Sequence, residues 1–162
     1  MSTFNILAID YDDPDAPAQF VKSLHETGFA VLKGHPISEA EISQMYDCWA
    51  DFFARADRHE FATDADTMHG YYGYKSENAK DSTFKDLKEF YHVYQNSPVP
   101  SDVEQPTRQF HQKLLDIGIE LLGWIDRESP ATVQDGFSEP AAQMVTGSEQ
   151  NLLRVLHYPP FC

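Results

Sequence analysis

The run Asn151-Leu-Leu-Arg-Val-Leu-His-Tyr-Pro-Pro-Phe161 constrains this 162-residue chain more than any other. Pro159 and Pro160 have no N–H to give to a ladder, so a strand here ends at Tyr158. Side chains alternate across a strand. Leu152, Arg154, Leu156 and Tyr158 therefore share one face, and Leu153, Val155 and His157 share the other. An Arg and a phenol on one face of an apolar strand have two physical settings. One is a cavity holding something anionic or polar, because an unpaired buried charge is very costly. The other is a sheet edge where both heads reach water, and composition alone favours the edge.

Upstream, the chain reads as helices alternating with strands, without repeats or low-complexity stretches. Asp12-Asp13-Pro14-Asp15 places a capping acid before a first-turn proline. Phe20, Val21 and Leu24 follow at helical spacing up to Gly28, predicting a helix from about 14 to 27. Phe29 to Lys33 reads as a short strand. Ser38-Glu-Ala-Glu41 is a capping box. It opens a helix whose Ile42, Met45, Tyr46, Trp49, Phe52 and Phe53 form a core stripe.

The stretch from Ala54 to Asp81 reads as polar loop. Gly70 and Gly73 within MHGYYGY break any helix, leaving an extended segment with Tyr72 and Tyr74 on one face and Tyr71 opposite. Glu89 to Tyr94 predicts a strand with Phe90, His92 and Tyr94 on one side, and His92 is read as a satisfied sheet histidine. A long helix is predicted from Ser101, behind Pro106, to about Arg127, with Phe110, Leu114, Ile117, Leu121 and Trp124 or Ile125 as its stripe. A short helix over Thr132 to Phe137 or Glu139 to Val145 precedes the last strand.

At 41% hydrophobic and 13% aromatic residues the composition is that of a globular chain. A formal charge of −14 repels phosphate backbones and anionic bilayers, so nucleic acid and membrane are excluded as partners. No apolar run approaches a membrane span and no basic, apolar leader opens the chain, which gives a cytoplasmic expectation. Cys48 and Cys162 make no disulfide framework and are expected as free thiols.

Four segments occur in a fixed order: GFAVLKGHPIS at 28–38, MHGYYGY at 68–74, KDLKEFYHVY at 85–94 and LLRVLHYPP at 152–160. Together they resemble the N-terminal half of the isopenicillin N synthase-like iron(II)/2-oxoglutarate-dependent dioxygenases. The resemblance implies an α+β fold, with helices packed on a partial double-stranded β-helix (jelly roll) whose catalytic half is missing from this chain. It divides the chain into an N-terminal αβ region (1–100), a spine helix with a short helix after it (101–150) and an early jelly-roll strand (151–162). For the full-length protein it implies iron(II) and 2-oxoglutarate as cofactors. The reaction would be O2-dependent oxidation, typically hydroxylation, of a small organic substrate, giving succinate and CO2.

By the same resemblance Tyr158 matches the tyrosine that hydrogen-bonds the 2-oxoglutarate carboxylate or, in oxidase members, the substrate. Arg154 shares its face as a second cofactor-binding candidate, or as a partner for a substrate carboxylate or a structural acid. Both side chains should then enter one cavity, with His157 on the opposite side. Tyr72 and Tyr74 are the substrate-side candidates. Leu156 stands where plant members carry an Asn, which removes one polar contact. The negative surface does not attract an anionic co-substrate over long range, so its site must be built locally, from residues such as Arg154.

The family's metal site is a His-x-Asp pair and a distant second His, a facial triad with open positions on the iron. None of the seven histidines, at 25, 35, 59, 69, 92, 111 and 157, has a carboxylate two residues on. No catalytic residue and no metal ligand is therefore assigned within these residues. Two readings follow: a piece of a much longer oxygenase, or a non-catalytic binding or interaction domain that keeps the family's front half. Substrate and oligomeric state stay open.

Overall fold

A computed structural model describes residues 6, 8–63, 66–78, 80 and 83–160. Along the chain run β1 (Ala8–Asp10), α1 (Ala16–Thr27), β2 (Val31–Lys33), α2 (Glu39–Ala54), a 3-10 helix (Ala56–Phe61), β3 (Gly70–Tyr72), β4 (Glu89–Val93), α3 (Ser101–Glu128), α4 (Ala131–Gln134), α5 (Ala141–Val145) and β5 (Leu153–His157). The α+β class is as expected from the sequence. Two compact units divide the chain: residues 1–38 with 112–148, and residues 39–111 with 149–162.

In the first unit β1 and β2 pair in parallel, Ile9 opposite Leu32. At three residues, β1 is too short for alternation to announce it in the sequence. The helix after it starts later than the sequence suggests. Asp13 Oδ1 accepts the Asp15 N–H at 2.8 Å, so the acidic run closes a turn of its own and α1 opens at Ala16 ahead of Pro17. Gly28 ends α1 as predicted, left-handed at φ 77° with its N–H on the Leu24 carbonyl at 2.9 Å. Ile9, Ala16, Phe20 and Trp124 form the core of this unit. The Asp126 carboxylate accepts the N–H groups of Ala141 and Ala142 at 2.8 and 3.0 Å, capping α5 where Pro140 has no side-chain cap to offer.

In the second unit β4 is the centre of an antiparallel sheet ordered β3-β4-β5. Its register sets Tyr71 opposite Tyr91 and Tyr91 opposite Val155, and Glu89 opposite His157. One sheet face packs on α2 through Met45, Trp49, Phe52 and Phe53. Tyr46, part of the predicted stripe, is instead exposed. Trp49 Nε1 donates to Thr107 Oγ1 at 2.9 Å, and that hydroxyl passes on to the Val103 carbonyl at 2.6 Å, tying α2 to the start of α3.

The predicted polar loop after α2 is not all loop. It holds the 3-10 helix and β3, and Arg55 Nη1 grips both oxygens of Asp102 at 3.0 and 2.8 Å where the 3-10 helix begins. α3 starts at Ser101, as the sequence predicts, and holds Pro106 inside it, so the Asp102 carbonyl lacks its usual helical donor. The predicted α3 stripe divides: Phe110 packs in the second unit, Leu121, Trp124 and Ile125 in the first, and Leu114 is exposed.

Candidate ligand-binding sheet face

The two faces of β3-β4-β5 carry different chemistry. On the α2 side, Glu89 is 3% exposed at the start of β4. Its Oε2 accepts the Tyr71 hydroxyl and Arg58 Nε (3.2 Å), and its Oε1 lies 2.8 Å from His157 Nδ1. Burial alone would raise this carboxyl. Hydrogen bonds from Tyr71 and His157 and the Arg58 charge outweigh burial and hold it below its ordinary value. His157 also stacks on Phe53, ring centres 5.0 Å apart. Three side chains, from the 3-10 helix, β3 and β5, thus meet on one buried charge of β4, fixing the last paired residue of β5.

The opposite face carries Tyr72, Phe90, His92, Arg154 and Leu156. Tyr72 stacks on Phe90 at 4.4 Å, and the Arg154 guanidinium lies 4.4 Å from the same ring centre. His92 is satisfied, as expected, between Arg154 Nε (2.8 Å) and the Met68 carbonyl (3.1 Å). Burial and the Arg154 charge hold its ring below the ordinary value for histidine, against the pull of the Met68 carbonyl. Arg154 Nη2 reaches Glu77 Oε1 at 3.3 Å.

The β5 alternation matches the sequence reading: residues 152, 154, 156 and 158 are exposed, and 153, 155 and 157 are partly covered. An apolar cleft of about 490 Å³ along β5 is lined by α2 residues, Phe110 and residues 153–157, and Tyr158 is not part of it. Tyr158 is 58% exposed and His157 is the inward residue of the two, because α2 covers the His157 face. Tyr72 lies on the outward face, whereas Tyr74 lies beyond the end of β3, exposed, with Lys75 Nζ 5.2 Å from its ring centre.

No sequence motif singles out Arg58, Glu77 or Glu89 as site residues. Glu89 carried a signal: an acid at the start of an apolar strand incurs the same burial cost that singled out Arg154. Among the described residues no group of three or more His, Cys, Asp or Glu could hold a metal ion, so these residues do not fit an iron centre. No helix among them is long and apolar enough to cross a membrane. Cys48 is a half-buried free thiol, pushed up by burial; Cys162 lies outside the described residues.

Residues 4–114 match the family described as "non-haem dioxygenase in morphine synthesis N-terminal". The chain belongs to that family. No curated protein matches the sequence. Among solved structures, a Shewanella oneidensis protein assigned as an oxygenase is 35% identical with a TM-score of 0.88, over 98% of this chain and 56% of that one. A Caulobacter crescentus protein assigned to the 2OG-Fe(II) oxygenase family is 24% identical, TM-score 0.74, over 98% of this chain and 58% of its own. A full-length Neurospora crassa protein, solved in complex with alpha-KG, shares the fold at 19% identity and TM-score 0.68, over 95% of this chain and 54% of its own. This dioxygenase N-terminal chain thus spans little more than half the length of the solved relatives it matches.

Proposed function

We propose that this chain is the front half of an iron(II)/2-oxoglutarate-dependent oxygenase that oxidises, typically by hydroxylation, a small organic substrate with O2, releasing succinate and CO2. The observation that carries this reading is the outward face of β3-β4-β5. Tyr72, Phe90, His92, Arg154, Leu156 and Tyr158 make it aromatic and cationic, and α2 covers only the reverse side. In this reading the iron ligands lie outside the present residues, on the part of the protein that completes the jelly roll over this face. The chain then contributes the ligand-facing wall. Tyr158 makes no hydrogen bond among the described residues, leaving its hydroxyl to donate to a 2-oxoglutarate carboxylate. Tyr72 and Tyr74 border the substrate side. The interaction-domain alternative draws no support of its own from these observations.

Steady-state kinetics of the complete protein tests this assignment. Tyr158→Phe should raise the KM for 2-oxoglutarate about 5-fold to 10-fold, the size of one lost hydrogen bond. An unchanged KM for both 2-oxoglutarate and substrate would remove Tyr158 from the site.

A further inference from the structure

Arg154 is held as a ligand-ready cation would be. Its Nε donates to His92 Nε2 at 2.8 Å, so His92 must carry its proton on Nδ1, which donates to the Met68 carbonyl at 3.1 Å. The guanidinium rests 4.4 Å from the centre of the fully buried Phe90 ring. Together these contacts fix the fork in one orientation. Nη1 makes no hydrogen bond among the described residues, and the side chain is 34% exposed.

Among the described residues, the carboxylate on this fork is that of Glu77, which meets Nη2 through a single, long contact of 3.3 Å. The other Glu77 oxygen lies 3.3 Å from Lys88 Nζ, and Lys88 is itself held by Asp86 at 2.7 Å. Glu77 can therefore leave Arg154 without losing its only cation. A planar carboxylate approaching from the open face could take two of the remaining donors side by side, a geometry that Glu77 does not reach.

We propose that Arg154 is a carboxylate receptor that Glu77 occupies in the ligand-free chain, and that an incoming ligand carboxylate replaces Glu77, which stays paired with Lys88. The proposal rests on the oxygenase reading only for the source of the carboxylate, 2-oxoglutarate or the molecule to be oxidised.

The test is NMR of the 162-residue chain with labelled arginine, following the Arg154 Nε–H signal during titration with 2-oxoglutarate and, separately, with benzoate. At least one probe should move the signal. Glu77→Gln removes the internal competitor and should lower the Kd about 3-fold to 10-fold, whereas Arg154→Gln, followed through the ring signals of the neighbouring His92, should abolish the response. Glu77 is partly exposed, and the amide spectrum of each variant reports whether it remains folded. A structural role for Glu77 predicts the opposite sign: unchanged or weaker binding in Glu77→Gln overturns the proposal, as does an unmoved Arg154 signal with both probes. Tighter binding of 2-oxoglutarate that is lost in Tyr158→Phe assigns the receptor to the co-substrate. Equal affinity for the two probes assigns it to the carboxylate of the oxidised substrate. Neither iron nor turnover enters this experiment, so its failure leaves the oxygenase reading standing.

Discussion

Replacing Glu89 by Gln should destabilise the chain by about 3 kcal/mol at neutral pH. The carboxylate accepts from Tyr71, Arg58 and His157 while almost fully buried. Gln keeps the shape but turns one oxygen into a donor, so at least one of those donors faces another donor, and Arg58 loses its counter-charge. One charge-assisted hydrogen bond contributes about 1.5–3 kcal/mol, and breaking a buried ion pair costs about 3–5 kcal/mol. At about 2–4 °C per kcal/mol for a chain of this size, the melting temperature should fall by about 6–12 °C. The pH dependence gives the sharper check. Because the fold holds this carboxyl below its ordinary value, its stabilisation is complete above the unfolded-state pKa of about 4.3 and is lost as pH falls through the folded value. The gap between wild type and Glu89→Gln should therefore be constant from pH 7 to about 5 and shrink below about pH 4. Thermal unfolding by circular dichroism across that range measures it. A gap that persists unchanged at pH 3, or none at pH 7, would refute the picture of a buried ionised Glu89.

Gly70→Ala should cost about 3 kcal/mol, because φ is +99° and a Cβ would sit 2.7 Å from the Phe61 carbonyl oxygen; an unshifted urea midpoint would contradict this. If these 162 residues are expressed alone, self-association should grow with ionic strength. The β5 edge is unpaired among the described residues, Leu152 and Leu156 are 41% and 47% exposed, and salt screens the −14 charge that opposes association. Light scattering that shows a monomer at both low and high salt would overturn the edge argument.

The sequence made some of this structure legible, for physical reasons. Pro159 and Pro160 fix where β5 ends, and its period of two then assigns every side chain to a face. That period does not say which face the rest of the chain covers. The answer depends on Phe53 stacking on His157 across 104 residues of sequence (157 − 53), which no local pattern encodes. The Glu89 cluster was hidden for the same reason: its donors lie 18, 31 and 68 residues away. Gly28 is a reliable helix stop because only its own φ is at issue, whereas Asp12, Asp13 and Asp15 with Pro14 and Pro17 offer several starts for α1, and the Asp13 turn selects one. The spacing predicts Tyr72 and Tyr74 on one face, but β3 ends at Tyr72, so strand alternation does not extend to Tyr74.

The most direct measurement is release of labelled CO2 from 1-labelled 2-oxoglutarate in the presence of iron(II) and O2, run side by side on the complete protein and on these 162 residues. If the chain is the ligand-facing half of an oxygenase whose iron ligands lie elsewhere, the complete protein should release CO2 and form succinate in equal amounts, and the 162 residues alone should not exceed an iron-only blank. Turnover by the 162 residues alone would contradict this, and so would its absence from a complete protein that carries the His-x-Asp pair and the second His.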